Sequence, residues 1–170
     1  VSDHRDEFAD VLAANHEYAA GFALAGLAAP AARGLAVITC IDSRIEPLQM
    51  LGIGPGDAKI IRNAGARVTD DALRSLVLAA NLLDVHRVAL VAHTDCAMAK
   101  NSEAELAARI GELRGHDASG WHFHAIADQA ATLRDDVARI RACPLLPDDL
   151  VVGAFVYDVD SGELEPVDID

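Results

Sequence analysis

The chain has 170 residues, 52% of them hydrophobic and 24% charged, which suits one soluble globular domain with a real core and excludes a disordered chain. Its 14 Lys and Arg against 27 Asp and Glu give a formal net charge of −13, which argues against a nucleic-acid surface. No run approaches the roughly 20 apolar residues of a membrane span, and the acidic opening Val1-Ser2-Asp3-His4-Arg5-Asp6-Glu7 lacks the character of a signal peptide.

From Asp6 to Gly26 the chain is Ala-rich, and Phe8, Val11, Leu12 and Phe22 recur at roughly helical spacing, so one or two helices are expected. Gly26, Pro30 and Gly34 then make a loop. Leu35 to Ile41 is a continuous apolar strand of the buried parallel type. A helical turn over Glu46 to Leu51 precedes the Gly52-Ile53-Gly54-Pro55-Gly56-Asp57 turn, which lacks a phosphate-loop pattern, and Ala58 to Ile61 is a second strand. Asp70 and Asp71 open a helix from about Ala72 to Leu83, where acidic side chains suit the positive end of the helix dipole. Arg87 to Ala92 is a third strand, Ser102 to Arg114 a helix, and Gly115 to Gly120 a loop. Ile126 to Ile140 is helical with Leu133, Val137 and Ile140 as its stripe, Leu150 to Tyr157 is a fourth strand, and Glu163 to Val167 a short edge strand.

Strands alternating with helices predict an α/β fold: one three-layer-like domain over residues 1–170, with a central, mostly parallel sheet of about four strands plus an edge strand and helices on both faces. Ligands of such sheets collect beyond the carboxyl ends of the strands. Two segments sit at those ends: Cys40-Ile41-Asp42-Ser43-Arg44 after the first strand and His93-Thr94-Asp95-Cys96 after the third. His93 and Cys96 are three apart, so a turn can aim both at one ion, and Cys40 completes the trio if the strands are neighbours. Two thiolates and one imidazole suit zinc with a fourth position left for chemistry. Taken singly, Cys40 reads equally as a small buried hydrophobe and His93 as a structural histidine; their joint placement is what points to a metal.

Asp42 and Arg44 point the same way in an extended segment and can pair beside the metal. Asp42 can then accept the hydrogen of an attacking hydroxide, or bind zinc directly as a fourth ligand and shut the site; the sequence leaves both states open. Asp95 reads as a loop-organising acceptor, and Arg62 and Asn63 as stabilisers of neighbouring loops. Gly65 marks a conformation closed to bulkier residues. His116, His122 and His124 around Trp121 read as surface or packing histidines, and Cys143 as a bystander thiol. The odd number of cysteines fits a reducing cytoplasm better than a disulfide framework.

Cys-x-Asp-Ser-Arg followed some fifty residues later by His-x-x-Cys, with Arg62-Asn63-Ala64-Gly65 and the helix carrying Ser75 between them, resembles the β-class carbonic anhydrases, as does the ending Gly153-Ala154-Phe155-Val156-Tyr157-Asp158. The resemblance implies a zinc-dependent lyase (carbonate dehydratase) that hydrates carbon dioxide reversibly to bicarbonate and a proton. It implies Cys40, His93 and Cys96 as zinc ligands, Asp42 and Arg44 as a catalytic dyad, and residues 1–34 as a mainly helical arm that packs on a second subunit of a homodimer or a larger dimer-based assembly. Ala97 departs from the glycine that many members carry there. Hydrolases of carbonyl sulfide or carbon disulfide share the ligand pattern and form the alternative reading; a non-catalytic zinc-binding module, closed by Asp42, is the third.

Overall fold

A computed structural model describes residues 4–169; Val1 to Asp3 of the acidic opening and Asp170 lie outside the described residues. Five strands form one sheet in the order β2-β1-β3-β4-β5: β1 Leu35–Cys40, β2 Ala58–Asn63, β3 Arg87–His93, β4 Val151–Tyr157 and β5 Leu164–Val167. The first four run parallel, and β5 pairs antiparallel with β4 at the edge. α1 His4–Glu7 and α2 Ala9–Ala20 precede the sheet, and between its strands lie α3 Pro47–Met50, α4 Asp70–Leu82, α5 Glu103–Arg114 and α6 Gln129–Arg141. The predicted helix-flanked parallel sheet with one edge strand is the observed architecture.

Successive side chains of a strand face opposite ways, so each central strand feeds two layers. Ala36 and Ile38 of β1 and Val88, Leu90 and Ala92 of β3 join one core with Leu76 and Ala79 of α4 and Leu133, Val137 and Ile140 of α6. Val37 and Val91, the alternate residues, are equally sealed. This is why both strands read as unbroken apolar runs. Thr39, buried among them, satisfies its hydroxyl on the Val91 carbonyl at 2.9 Å.

Element ends moved where a cap or a ladder decides them. α4 starts at Asp70 because the Thr69 hydroxyl accepts from the Ala72 amide. α6 starts at Gln129, later than the predicted Ile126, because Asp128 caps it through the Ala131 amide and His124 just upstream has a positive φ of 58°. β1 ends at Cys40, one residue short of expectation, and Ile41 turns out to solvent. β2 continues past Ile61 to Asn63, which lies opposite Cys40 in the register.

The order of strands positions the site. From β1 the chain crosses to β2 on one side, then returns to place β3 on the other. Such a reversal leaves a crevice beyond the carboxyl ends of the two central strands. β1 and β3 pair residue by residue up to Thr39 opposite Val91, so Cys40 and His93 emerge side by side at that crevice.

Candidate metal centre

Cys40 ends β1, His93 ends β3, and Cys96 follows in the turn after His93. One donor atom from each lies within 4.8 Å of the other two, and all three residues are buried. The turn between His93 and Cys96 requires Asp95 in the left-handed region (φ 55°), a conformation that Asp tolerates better than most residues. Thr94 fixes this turn to the end of β4: its amide donates to the Tyr157 carbonyl at 2.9 Å, and its hydroxyl accepts from the Val159 amide at 3.1 Å. Gln129 at the start of α6 donates to the His93 carbonyl at 2.9 Å.

His93 Nδ1–H donates to the Thr94 carbonyl at 2.8 Å, which leaves Nε2 with a lone pair. Nε2 is buried and has no hydrogen-bond partner among the described residues. An orphaned buried nitrogen is costly unless something coordinates it. Here it faces two cysteine sulfurs, and thiolate plus imidazole at this separation is the donor chemistry of zinc. The three residues fit a zinc ion, and the fourth tetrahedral position is not taken by any of them.

The three donors are close enough to perturb one another strongly. A hydrogen bond from the Cys96 thiol, more than offsetting burial, brings the Cys40 thiol down to about 3, so Cys40 is a thiolate. The same bond, together with burial, pushes Cys96 up. Burial disfavours a charged His93, but the neighbouring Cys40 thiolate outweighs it and holds the imidazole above its usual value. Gly65 adds an amide to Cys40 Sγ at 3.4 Å. Its φ of 80° and the 3.1 Å separation between a built Cβ and Ile126 Cδ1 explain the glycine: a side chain would strain the backbone and crowd Ile126.

Asp42 lies beside the cluster rather than in it. Arg44 donates to it three times, from Nε (2.9 Å) and the backbone amide (2.9 Å) to Oδ1 and from Nη2 to Oδ2 (2.7 Å). The guanidinium holds the Asp42 carboxyl far below the ordinary carboxylate range. Asp42 Oδ2 is 3.9 Å from His93 Nε2, close to the donor triangle but engaged by Arg44. Arg62 clamps the main chain of the same turn, donating from Nε to the Cys40 carbonyl (2.9 Å) and from Nη2 to the Asp42 carbonyl (2.7 Å). Ile45, Ala66, Met50, Met98 and Tyr157 pack around Cys40 and Cys96 and make the cluster's apolar flank.

All the sequence-selected donors and the Asp42–Arg44 pair thus converge. The 35% identity to β-carbonic anhydrase 1 of Mycobacterium tuberculosis extends over 158 residues, 93% of this chain and 96% of the relative. The carbonic anhydrase family profile matches residues 35–164. The chain belongs to the β-carbonic anhydrase family. The crystal structure of carbonic anhydrase from Streptococcus mutans superposes with a TM-score of 0.89 at 34% identity, covering 99% of both chains. A relative named carbon disulfide hydrolase, from Saccharolobus solfataricus, is 33% identical over 159 residues, 79% of this chain and 78% of its own. The Cys-His-Cys cluster is the zinc-binding centre of this β-carbonic anhydrase fold.

Other candidates stay outside it. His116 and His122 line a surface groove of about 630 Å³ beside α5, and no described histidine but His93 joins a metal-ligating group. That groove is roomy, but the donor chemistry lies elsewhere. Cys143 packs partly buried on the main core. Ala97 opens a short 3-10 turn with its side chain exposed, so its methyl does not press on the donors. Gln129 went unrecognised in the sequence: it lies 36 residues from His93, on a helix whose docking no local pattern reveals.

Proposed function

We propose that the protein hydrates carbon dioxide reversibly, with Cys40, His93 and Cys96 as zinc ligands and Asp42 and Arg44 as the catalytic dyad. One observation carries the reading: a buried, unpartnered His93 Nε2 faces two cysteines beside a carboxylate that an arginine keeps ionised. Zinc at such a centre supplies Lewis acidity, lowering the pKa of water towards ~7 so that hydroxide is available at neutral pH.

The chain's residues do the rest. Asp42 accepts the hydrogen of the attacking hydroxide at the oxygen nearest the donor triangle, which leaves a lone pair for the substrate carbon. Arg44 keeps that carboxylate charged and aimed. The apolar flank of Ile45, Met50 and Met98 suits an uncharged linear substrate better than an ion. Oxygen adds to carbon, bicarbonate departs, and one proton leaves to solvent for each turnover. Three protein donors with Asp42 engaged elsewhere support a catalytic rather than a closed, structural site.

Two companion readings complete the proposal. The arm over residues 1–34 packs on a second copy of the chain in a homodimer or dimer-based assembly: α2 buries none of its residues, and Phe8, Val11, Leu12, Tyr18 and Phe22 are all exposed. The protein works in a reducing cytoplasm, without membrane or nucleic-acid partners. Its cysteines are all free, no helix among the described residues is long and apolar enough to cross a membrane, and the net charge is −13.

Stopped-flow hydration of CO2 by zinc-loaded protein, run beside hydrolysis of carbonyl sulfide and carbon disulfide on one preparation, tests the substrate. A zinc-dependent rate constant that is highest for CO2 is expected. Strong preference for a sulfur substrate would replace this reading with that of the hydrolases.

A further inference from the structure

The Asp42–Arg44 pair has a weakness as a positioning device. Both residues sit on one exposed turn, two apart, so the pair can swing as a unit without breaking its own bonds. Arg62 of β2 clamps only the main chain of this turn, through the Cys40 and Asp42 carbonyls, so the side-chain pair itself needs a contact from another element to register it against the metal ligands.

Asp95 does this. It precedes Cys96 on the other ligand-bearing turn, and it takes Arg44 twice: Oδ2 accepts from Nη1 at 2.9 Å and its carbonyl from Nη2 at 3.3 Å. Its second carboxylate oxygen is fixed by Lys100 at 2.5 Å. A single guanidinium therefore spans both turns, with Asp42 on one edge and Asp95 on the other. From a left-handed turn (φ 55°) that Asp tolerates better than most residues, the Asp95 side chain reaches 51 residues back along the chain to Arg44.

We infer that Asp95 is a positioning residue that locks Arg44, and through it holds Asp42 beside the metal position and off the metal. The inference rests on the zinc-centre reading above and deepens it. Asp42 Oδ2 already lies 3.9 Å from His93 Nε2, so a modest swing would bring it among the ligands. Asp95 sets how often that swing occurs: with the lock the fourth position stays available, and without it Asp42 competes for it.

The test uses Asp95→Gly, which keeps the left-handed backbone without strain, and Asp95→Asn, whose amide oxygen can still accept from Nη1. Zinc-loaded protein is assayed for CO2 hydration and zinc content, and cobalt-substituted protein for its visible absorption. Asp95→Gly is expected to keep full metal content, to lose about tenfold in kcat with KM little changed, and to shift the cobalt spectrum. Asp95→Asn is expected to restore most of the loss. In an Asp42→Asn background, Asp95→Gly is expected to add nothing. A wild-type rate and spectrum in Asp95→Gly would overturn the inference, as would loss of metal, failure of Asp95→Asn to rescue, or an undiminished effect in the Asp42→Asn background. Wild-type protein inactive on CO2 would sink the substrate reading alone, because the cobalt spectra still report on Asp42.

Discussion

The crevice at the ends of β1 and β3 and the periphery formed by α2 and α5 are built on opposite plans. In the crevice Cys40, His93 and Cys96 are buried, and their turns are braced from β2 by Arg62, from β4 by Tyr157 and from α6 by Gln129. α2 and α5 bury no residue at all. α5 forms on local signals instead: Ser102 and Glu105 make a reciprocal capping box, and Gly115 ends the helix in the left-handed conformation. The contrast separates two ways for a sequence to specify structure. Buried chemistry needs many long-range supports, whereas a solvated helix needs only its ends.

The largest effect follows from cutting the crevice at its centre. Cys96→Ala removes one ligand and is expected to lose most bound zinc and roughly a thousandfold or more in CO2 hydration. The fold should survive, because the main core of β1, β3, α4 and α6 does not include Cys96. Metal analysis and a circular dichroism melt on one sample check both halves. Near-stoichiometric zinc in the variant would dismantle the ligand assignment.

Asp42→Asn comes next. The variant keeps all three donors but exchanges a charged acceptor for an amide that pairs poorly with Arg44. Retained zinc with a loss of about ten- to a hundredfold in kcat is expected. Unchanged turnover across neutral pH would show the dyad to be dispensable.

A stability effect ranks third. Asp136 of α6 is buried and takes Arg67 Nε at 2.7 Å and Nη2 at 3.3 Å, while Arg67 also donates to the His124 carbonyl. Asp136→Ala leaves a half-buried guanidinium without its partner, and a loss of about 3 kcal/mol in urea unfolding is expected. A loss below about 1 kcal/mol would mean that water replaces the carboxylate.

The periphery gives the fourth test. Deleting residues 1–27 removes α1, α2 and the exposed Phe8, Val11, Leu12, Tyr18 and Phe22. Light scattering is expected to show the mass per particle fall from a dimer or dimer-based assembly to the monomer, with the metal ligands intact. An unchanged particle mass would place the subunit contact elsewhere.

The legible and illegible parts of the molecule divide along the same line. Strand cores, the parallel sheet and the three metal ligands could be read because each shows in local pattern: unbroken apolar runs, and soft donors where those runs stop. Arg62 could be recognised only as a loop stabiliser, since its actual duty, clamping the Cys40 and Asp42 carbonyls, depends on the pairing of Thr39 with Arg62 across β1 and β2. Asp95 was legible as an acceptor, but its partner Arg44 lies 51 positions away. Helix starts slipped where a cap outweighed propensity, as Asp128 does in α6. Long-range braces leave no periodic trace.

The smallest expected effect concerns a tether of the loop beyond α5. Glu103 Oε2 accepts from the Phe123 amide at 2.9 Å and Oε1 from the Ala125 amide at 2.7 Å. Those two backbone bonds, aided by the charges of His124 and His122, hold the Glu103 carboxyl below its ordinary value. A depressed carboxyl stabilises the folded loop at pH values above the unfolded glutamate pKa of about 4.3, and that contribution disappears as pH falls through the lower folded value. Hydrogen exchange at Phe123 and Ala125, corrected for intrinsic rates, should therefore be flat from pH 7 to about 5 and become several-fold less protected on further acidification. Glu103→Gln should show the weaker protection already at pH 7 and lose the acid step, with zinc content and CO2 hydration untouched, because no bond of Glu103 reaches the ligand turns. Protection that ignores both the substitution and the acid would mean that the loop is held by Ile126, whose amide donates to the Met98 carbonyl at 2.8 Å, and so belongs to the braced crevice instead of the solvated periphery.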